Sequence, residues 1–449
     1  MSRSEFEGSR IRIDTPDTGS GPRWTLFVGG DTVVQERYAD PPFGSSLRRR
    51  MGDADLTVLN LEAPVESSGE PVAKSGAVKE SVSRTPGVLA DAGVDAVTLA
   101  NNHTMDHGPV GLFETIETCR DEGIGVCGAG ADADAALAPH CSTPADGAVR
   151  VALVGLCERE FGVAGRGEPG TAWIGHPDAL DRIDAAAAEA DVVIVLAHGG
   201  IEYVPFPPMA RRRQLRRIMD AGADIVVGHH PHVAQGWEFV RGSPVFYSLG
   251  NFLFEQTSRP NTREGFGIEI TFDGDTPVSI DLVPVVIGDG FVREMADAER
   301  REQFLEYVHR VARLTSSDLE PHWQETADRV FLQRYGNWIR EASGGDPLKE
   351  LLNPGDHLRK GGLWDPDRRR PELLTLLNLV RNESHRAVVE TALGLRTGVA
   401  VDRRTPVTRR TVRELLDRTE DRPVFDLPSR TSQRVEALVG RLTAGSVIP

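Results

Sequence analysis

Five apolar runs in the first 232 residues each end in a cluster of polar side chains. An apolar run that stops at polar residues is typical of a buried strand that ends at the rim of a sheet. Open α/β sheets bind their ligands at the carboxyl ends of their strands, so five such endings predict one shared site. The five stretches are residues 27–31, 57–62, 95–108, 193–198 and 225–232.

Strand and helix patterns alternate through the same part of the chain. The spacing predicts strands over residues 24–28, 56–61, 95–99, 125–128, 149–156, 192–197, 225–227 and 244–249, and helices over 82–92, 110–122, 179–190 and 211–221. Residues 265–272 and 278–286 alternate around an Asp273-Gly274-Asp275 turn, which predicts an antiparallel hairpin. The whole pattern indicates a layered α/β domain over residues 23–290.

After residue 290 the apolar positions recur at helical spacing. This spacing predicts helices over residues 296–314, 318–341, 371–395 and 432–442. Pro371 fits the first turn of the third of these helices, and Gly394 is expected to break it. We therefore divide the chain into a loose tail over residues 1–22, the α/β domain, and a helical C-terminal region over residues 291–449.

The charge of the chain excludes general nucleic-acid binding, which needs a basic face. The formal net charge is −16 over 449 residues. Of the 51 basic residues only four are lysines, at positions 74, 79, 349 and 360. An acidic, lysine-poor surface fits a salt-adapted protein, and a GC-rich genome would give the same preference for arginine.

The termini and the cysteines predict a cytoplasmic protein. No secretory signal is visible near Met1, and no apolar run approaches the roughly 20 residues that a membrane span needs. The four cysteines form no CxxC pair, so reduced thiols are expected.

The polar residues at the strand ends form a set of metal ligands. Carboxylate, imidazole and amide oxygen together suit divalent Mn, Fe or Zn, and a carboxylate that bridges two such ions builds a centre for phosphate chemistry. His103, next to Asn102, is then placed to act as a general acid, while Asp106 either fixes the His103 tautomer or caps the next turn. Each ending alone also fits an ordinary strand end, so the ordered set carries the prediction. The candidate ligands are Asp31, Glu62, Asn102, His198, His230 and His232.

Six ordered motifs lie between residues 24 and 256. They are Gly30-Asp31, Asn60-Leu61-Glu62-Ala63-Pro64, Ala100-Asn101-Asn102-His103 with Asp106 and Gly108, His198 with Gly200-Ile201-Glu202-Tyr203, Gly228-His229-His230-Pro231-His232-Val233, and Tyr247-Ser248-Leu249-Gly250-Asn251-Phe252. Together these motifs resemble the CapA-type family of poly-γ-glutamate capsule biosynthesis proteins, which resembles the calcineurin-like metallophosphoesterases in fold. The resemblance implies a four-layer sandwich of two β-sheets flanked by helices, with a two-metal site at the strand ends.

The same resemblance implies a role for each motif residue. Asp31 and His232 would bind one ion, Asn102, His198 and His230 would bind the other, and Glu62 would bridge them, with His103 as the acid, Glu202 and Tyr203 lining the pocket and Asn251 at its edge. The chain departs from the phosphoesterase pattern twice. Val33 stands where an Asp-x-His motif has its imidazole, so either the first ion binds weakly or Glu202 compensates for the loss. Glu62 is longer than the usual Asp, which changes the spacing of the two ions.

Two functions are compatible with these motifs. The first is a metal-dependent hydrolase of the phosphoesterase type that acts on a small anionic or polymeric substrate, with a γ-glutamyl bond as an allowed variant. The second is a non-catalytic accessory subunit for the synthesis or export of an anionic poly-γ-glutamate-like polymer, in contact with partners of a polymer-synthesis complex. An accessory protein tolerates the loss of His103, and an enzyme does not.

Overall fold

Two β-sheets build the core of the molecule, and the computed structural model describes residues 6–13, 21–342 and 366–419. The strands are β1 (Phe6–Glu7), β2 (Arg10–Arg12), β3 (Arg23–Thr32), β4 (Leu56–Leu61), β5 (Ala96–Thr98), β6 (Gly125–Cys127), β7 (Ala129–Gly130), β8 (His140–Ser142), β9 (Val151–Cys157), β10 (Gly170–Thr171), β11 (Val192–His198), β12 (Ile225–His229), β13 (Trp237–Val240), β14 (Ser243–Phe246), β15 (Asn251–Leu253), β16 (Glu264–Asp273), β17 (Thr276–Gly288) and β18 (Phe291–Glu294).

Helices cover the sheets and make up most of the described chain after residue 297. They are α1 (Ser45–Asp53), α2 (Thr85–Ala90), α3 (Gly108–Asp121), α4 (Ala133–Leu137), α5 (Ala179–Glu189), α6 (Met209–Asp220), α7 (Ala298–Ser317), α8 (Leu319–Val330), α9 (Gly336–Ala342), α10 (Pro366–Arg381), α11 (Glu383–Thr397) and α12 (Pro406–Thr419). Short 3₁₀ turns lie at Ala145–Gly147 and Pro260–Arg263, and a π-helical turn, Phe331–Tyr335, joins α8 to α9.

Parallel strands dominate the part of each sheet that carries the polar strand ends. The large sheet has the order β1-β2-β17-β16-β3-β4-β5-β6, with β15 also on β3 and β18 on β17, and β3 to β6 run parallel. The second sheet has the order β13-β14-β12-β11-β9-β8, and β9, β11, β12 and β14 run parallel. The carboxyl ends of β3, β4 and β5 therefore share one edge, and those of β11 and β12 share another.

The alternation of side chains along the strands produces four layers. Val28 of β3 and Ile194 of β11 belong to one buried cluster between the two sheets. The preceding residue, Phe27, packs instead with the apolar faces of α1, α2 and α3. The residue after Ile194, Val195, packs with α5 and α6. The predicted fold class, two β-sheets flanked by helices with a helical C-terminal part, is confirmed.

The helices beyond residue 297 extend the core between the sheets. Phe304 and Val308 of α7 lie in the same buried cluster as Phe266 of the large sheet. The rings of Phe266 and Phe304 are 6.3 Å apart, and Tyr307 donates from its hydroxyl to the backbone carbonyl of Ala234 at 2.8 Å. The C-terminal helices are therefore packed onto the α/β part through apolar contacts.

Two predictions about the C-terminal helices were wrong. The pattern over residues 371–395 predicted one helix, but α10 ends at Arg381 and α11 begins at Glu383, because Asn382 is extended and its side chain accepts the His385 N–H as an N-cap. Gly394 lies inside α11, which ends instead at Gly398 with a φ of 73°. Helix α12 was not predicted, and the helix expected over residues 432–442 lies outside the described residues.

The predicted hairpin is confirmed, and part of the predicted tail is ordered into strands. β16 pairs with β17 in antiparallel register from Glu264↔Val286 to Asp273↔Thr276. Within the segment expected to be a loose tail, β2 pairs with β17 through Ile11 opposite Ile280. None of the described helices is long and apolar enough to cross a membrane.

The contact between β3 and the turn before β15 predicts that Gly30→Ala will destabilise the protein. A Cβ atom at Gly30 would collide with the carbonyl oxygen of Gly250. The same oxygen accepts the backbone N–H of Asp31 at 3.2 Å. We expect a loss of about 1–3 kcal/mol in the free energy of unfolding, measured by urea denaturation. Gly52→Ala is the matched control, because Gly52 lies in α1 with no atom within 4 Å of its added Cβ. An equal effect of both substitutions would contradict the steric explanation.

Candidate metal centre

The carboxyl edges of the two sheets meet at a cluster of buried carboxylates and imidazoles. Asp31 lies near the end of β3 and Glu62 directly follows β4, while His198 ends β11 and His230 and His232 follow β12. All five side chains are at most 3% exposed. The ordered polar strand ends of the sequence thus come together in one place.

Glu62 is shared by two groups of candidate metal ligands. Asp31, Glu62 and His232 form one group, and Glu62, His198 and His230 form the other, each with its ligand atoms within 4.8 Å of one another. Oε1 of Glu62 lies 3.9 Å from Nε2 of His198 and 3.7 Å from Nε2 of His232. These are the only groups of three such side chains within the described ranges, and both contain Glu62.

Two asparagines lie against the ligand groups. Oδ1 of Asn102 lies 3.1 Å from Nε2 of His198, next to the second group. Asn60 was not assigned a role from the sequence. Its Nδ2 donates to Oδ1 of Asp31 at 2.8 Å and lies 3.2 Å from Nδ1 of His198, so it orients one ligand of each group.

The loops that carry the histidines are held in uncommon backbone conformations. His230 and His232 have φ values of 100° and 59°, in a region that favours glycine. The backbone N–H of His230 donates to Oδ2 of Asp31 at 3.2 Å, and the N–H of Tyr203 donates to the carbonyl of Pro231 at 2.9 Å. Such conformations persist at functional sites because the surrounding contacts fix them.

The donor atoms of the centre fit a divalent cation. Both carboxylate oxygens of Glu62 and Nε2 of His232 are buried and have no hydrogen-bond partner among the residues that the structure describes. A buried polar atom without a partner is costly, and a buried carboxylate is more so. Carboxylate, imidazole and amide oxygen are the mixture that Mn, Fe and Zn accept, so the residues present are suited to such an ion.

The charges of the centre also favour a cation beside Glu62. Burial raises the pKa of Glu62, and the charge of Asp31 raises it further. Burial also opposes the ionised form of Asp31, but the hydrogen bond and charge of His232 bring its pKa below the usual value. Burial opposes a charge on His232, yet Glu62, Asp31 and Glu202 raise its pKa to about 9. A bound divalent ion would replace the protons that this cluster attracts.

The second ligand group presents neutral imidazoles. Burial lowers the pKa of both His198 and His230. Neighbouring imidazoles lower the pKa of His198 further, while the charges of Glu160 and Glu202 offset only part of the effect of burial on His230. Nδ1 of His230 lies 3.1 Å from Nε2 of His198. Two neutral ring nitrogens at this distance are available to one metal ion.

His103 belongs to a buried chain of three side chains. Its Nδ1 lies 2.7 Å from Oδ2 of Asp106, whose Oδ1 accepts from Nζ of Lys74 at 2.5 Å. Asp106 therefore contacts the imidazole, while the N-cap of α3 is His107. Burial and then the charge of Lys74 lower the pKa of His103 well below the usual value, so the ring is neutral. Within the described residues, the His103 ring makes its hydrogen bonds through Nδ1. Nε2 of the ring is therefore left for a ligand.

The three predicted pocket residues all lie next to His232. Oε1 of Glu202 is 3.7 Å from Nε2 of His232, and the Glu202 side chain is 39% exposed. The ring of Tyr203 lies 5.8 Å from that of His232. Asn251 is fully buried, and its Oδ1 lies 3.0 Å from Nδ1 of His232. This contact turns Nε2 of His232 towards Glu62 and Glu202. Val33 packs with Phe254 in a small apolar cluster, so this strand end supplies no imidazole.

Sequence reasoning missed residues that reach the centre from loops and from the C-terminal helices. Lys74 and Lys79 border His103 and Asp106. Lysine is scarce in this chain, and that scarcity is the signal that singles out both positions in the sequence. Arg334 donates to the backbone carbonyl of Glu202 at 3.2 Å. The C-terminal region, in which the sequence indicated no chemistry, therefore touches the predicted pocket.

Comparison with known proteins identifies the family. A family model described as bacterial capsule synthesis protein PGA_cap matches residues 25–256, which is just over half of the chain. The matched segment contains every candidate ligand and pocket residue described above. The chain belongs to this family of bacterial capsule synthesis proteins, and the predicted membership of the CapA-type family is confirmed.

Two curated relatives and one solved structure illustrate the extent of similarity. The chain is 34% identical over 240 residues to the PGA biosynthesis protein CapA of Bacillus subtilis, covering 51% of this chain and 58% of that protein. It is 30% identical over 291 residues to the capsule biosynthesis protein CapA of Bacillus anthracis, covering 61% and 70%. The chain thus spans less than two thirds of the first relative. The match to a structure described as a novel phosphatase from Mycoplasma pneumoniae covers 59% of this chain and 94% of that protein's chain. The two share 13% sequence identity with a TM-score of 0.38, which is too low to support a functional argument.

The shared position of Glu62 predicts the metal content of variants. We expect protein purified without chelator to contain close to two equivalents of Mn, Fe or Zn by elemental analysis. Glu62→Gln and His230→Ala should each lose bound metal, because the first neutralises the shared carboxylate and the second removes an imidazole. His176→Ala, in a loop away from the centre, is the control and should keep the metal. Retention of metal in Glu62→Gln would contradict the bridging role.

Proposed function

We propose that the chain is a metal-dependent hydrolase of the phosphoesterase type that acts on an anionic substrate. One observation carries this proposal: Glu62 belongs to both ligand groups, is fully buried, and has no hydrogen-bond partner on either oxygen within the described chain. A carboxylate with both oxygens available between two sets of imidazole and carboxylate ligands is suited to bind two divalent ions at once.

The ligands divide between two ions in this proposal. Asp31 and His232 would hold one ion, Asn102, His198 and His230 would hold the other, and Glu62 would contact both. When bound, Mn, Fe or Zn ions lower the pKa of water and polarise a phosphoryl or carbonyl oxygen. Glu202 would add a carboxylate to the first ion, since its Oε1 lies 3.7 Å from Nε2 of His232 and Val33 offers no ligand.

His103 would deliver the proton that the leaving group needs. Asp106 holds Nδ1, so Nε2 is the atom that can face a leaving-group oxygen. The free protein keeps this imidazole neutral, because burial and the charge of Lys74 lower its pKa. An anionic phosphate ester beside Nε2 would raise that pKa and favour the protonated form. Substrate binding and the readiness of His103 to act as an acid are therefore coupled in this mechanism.

The substrate class follows from the same residues together with the family. The names of the relatives refer to PGA and capsule biosynthesis, which supports an anionic polymer or one of its building blocks as the ligand. A γ-glutamyl bond is an allowed alternative to a phosphoester, since the same ligand set polarises a carbonyl. We expect any partners of the protein to belong to the machinery that synthesises or exports such a polymer.

A second candidate function is a non-catalytic accessory subunit. The observation that favours it is that both relatives are named for biosynthesis and neither for hydrolysis. In that role the cleft would hold the polymer, and the buried ligands would bind metal for structure alone. His103 would then be dispensable.

Substitution of His103 distinguishes the two functions. We expect Mn-loaded protein to hydrolyse p-nitrophenyl phosphate, bis(p-nitrophenyl) phosphate or γ-glutamyl-p-nitroanilide. His103→Ala should lower kcat by about 10²–10⁴-fold while the metal content stays unchanged, because a positioned proton donor is lost. His107→Ala is the control, since Nδ1 of His107 lies 3.0 Å from the backbone carbonyl of Gly69 and its Nε2 lies 3.5 Å from the exposed Glu80.

Either of two results would favour the accessory subunit. One is wild-type protein with two bound ions and no turnover of the three substrates. The other is equal rates for wild type and His103→Ala at equal metal content.

A further inference from the structure

Two aromatic rings pack beside His232, and each of them carries a cation. The ring of Tyr203 lies 5.8 Å from that of His232 and holds the guanidinium of Arg259 at 4.4 Å. The ring of Phe254 lies 5.4 Å from that of His232 and holds the ammonium of Lys79 at 4.3 Å. Two separate pairs of cation and ring thereby fix positive charge next to one candidate metal ligand.

Lys79 and Arg259 differ from three of the other five cations that lie over aromatic rings in the described chain. Arg37, Arg396 and Arg418 each form a salt bridge, at 2.6, 2.6 and 3.0 Å, whereas Arg159 and Arg381 form none with a described carboxylate. Among residues 6–13, 21–342 and 366–419, no carboxylate forms a salt bridge within 4.0 Å with Lys79 or Arg259. In a chain with a net charge of −16, two cations without such a partner at the same site are suited to an external anion.

Lys79 is also fixed relative to the candidate acid and the pocket. Its backbone N–H donates to Oδ2 of Asp106 at 2.7 Å, on the same oxygen that contacts His103. The backbone of Lys79 is therefore fixed beside the candidate acid, and its ammonium lies over a ring that packs against His232.

We propose that Lys79 and Arg259 form an anion-binding subsite beside His232 for a ligand that carries at least two anionic groups, carboxylate or phosphate. The proposal deepens the proposed function, because the subsite would bind the groups of the substrate that do not react. Arg259 presents a planar fork that matches a carboxylate or phosphate, and Lys79 presents a point charge. The rings of Tyr203 and Phe254 hold the two charges in place, so little side-chain freedom is lost when an anion binds.

Equilibrium dialysis of the full metal-loaded chain tests the subsite without requiring turnover. The probes are inorganic pyrophosphate and the acidic dipeptide γ-glutamylglutamate. We expect Lys79→Met and Arg259→Gln each to raise the Kd of at least one probe by about tenfold, as the loss of a hydrogen bond to a charged group implies. Arg418→Gln is the matched control: it removes one positive charge over a ring, but that charge is already paired with Glu264.

Each outcome decides for or against the subsite. A weaker affinity for pyrophosphate alone supports a phosphate ligand, and a weaker affinity for the dipeptide alone supports a carboxylate ligand. Unchanged affinities, an equal effect of Arg418→Gln, loss of bound metal in the two variants, or no binding of either probe to wild type would each overturn the subsite. Because binding is measured directly, a wild type that binds a probe but hydrolyses nothing would contradict the proposed hydrolase and leave the subsite standing.

Discussion

The burial of two carboxylates, Asp31 and Glu62, at the junction of two sheets is the constraint on which the site depends. Removing a carboxylate from water is expensive unless hydrogen bonds or positive charge replace the solvent. Asp31 receives donors from Asn60 and from the backbone of His230. Glu62 receives none within the described chain, and its pKa is raised by burial. The centre thus leaves one buried carboxylate without a hydrogen-bond donor among the described residues, which suits it to a bound cation.

The fold supplies the rigidity that such a centre needs. Parallel strands of both sheets end at the cluster, and the core between the sheets lies directly behind it. Tyr203, His230 and His232 keep positive φ values in the loops that follow these strands. Contacts across the loops, such as the Tyr203 N–H to the Pro231 carbonyl, hold these conformations. Positions of the ligands are therefore set by strands and packed loops rather than by the ion alone.

Local patterns predicted the parts of the site that lie at strand ends. Asp31, Glu62 and His198 follow apolar runs, so their common edge could be inferred from the chain itself. Lys79 was missed because it lies in a long loop, and only the folded chain brings its ammonium onto the ring of Phe254. The break at Asn382 was missed because apolar spacing continues on both sides of it, while a side-chain cap decides the boundary. Tertiary contacts and caps, which leave weak traces in periodicity, account for what could not be predicted.

Anomalous X-ray scattering from crystals of the Mn-loaded protein would locate the ions relative to Glu62. We expect two peaks about 3.5–4 Å apart, as in known two-metal sites, with one Glu62 oxygen as a ligand to each. His232 should lie at one peak and His198 with His230 at the other. A single peak, or two peaks that both lie beyond bonding distance of Glu62, would contradict the shared carboxylate and the hydrolase built on it.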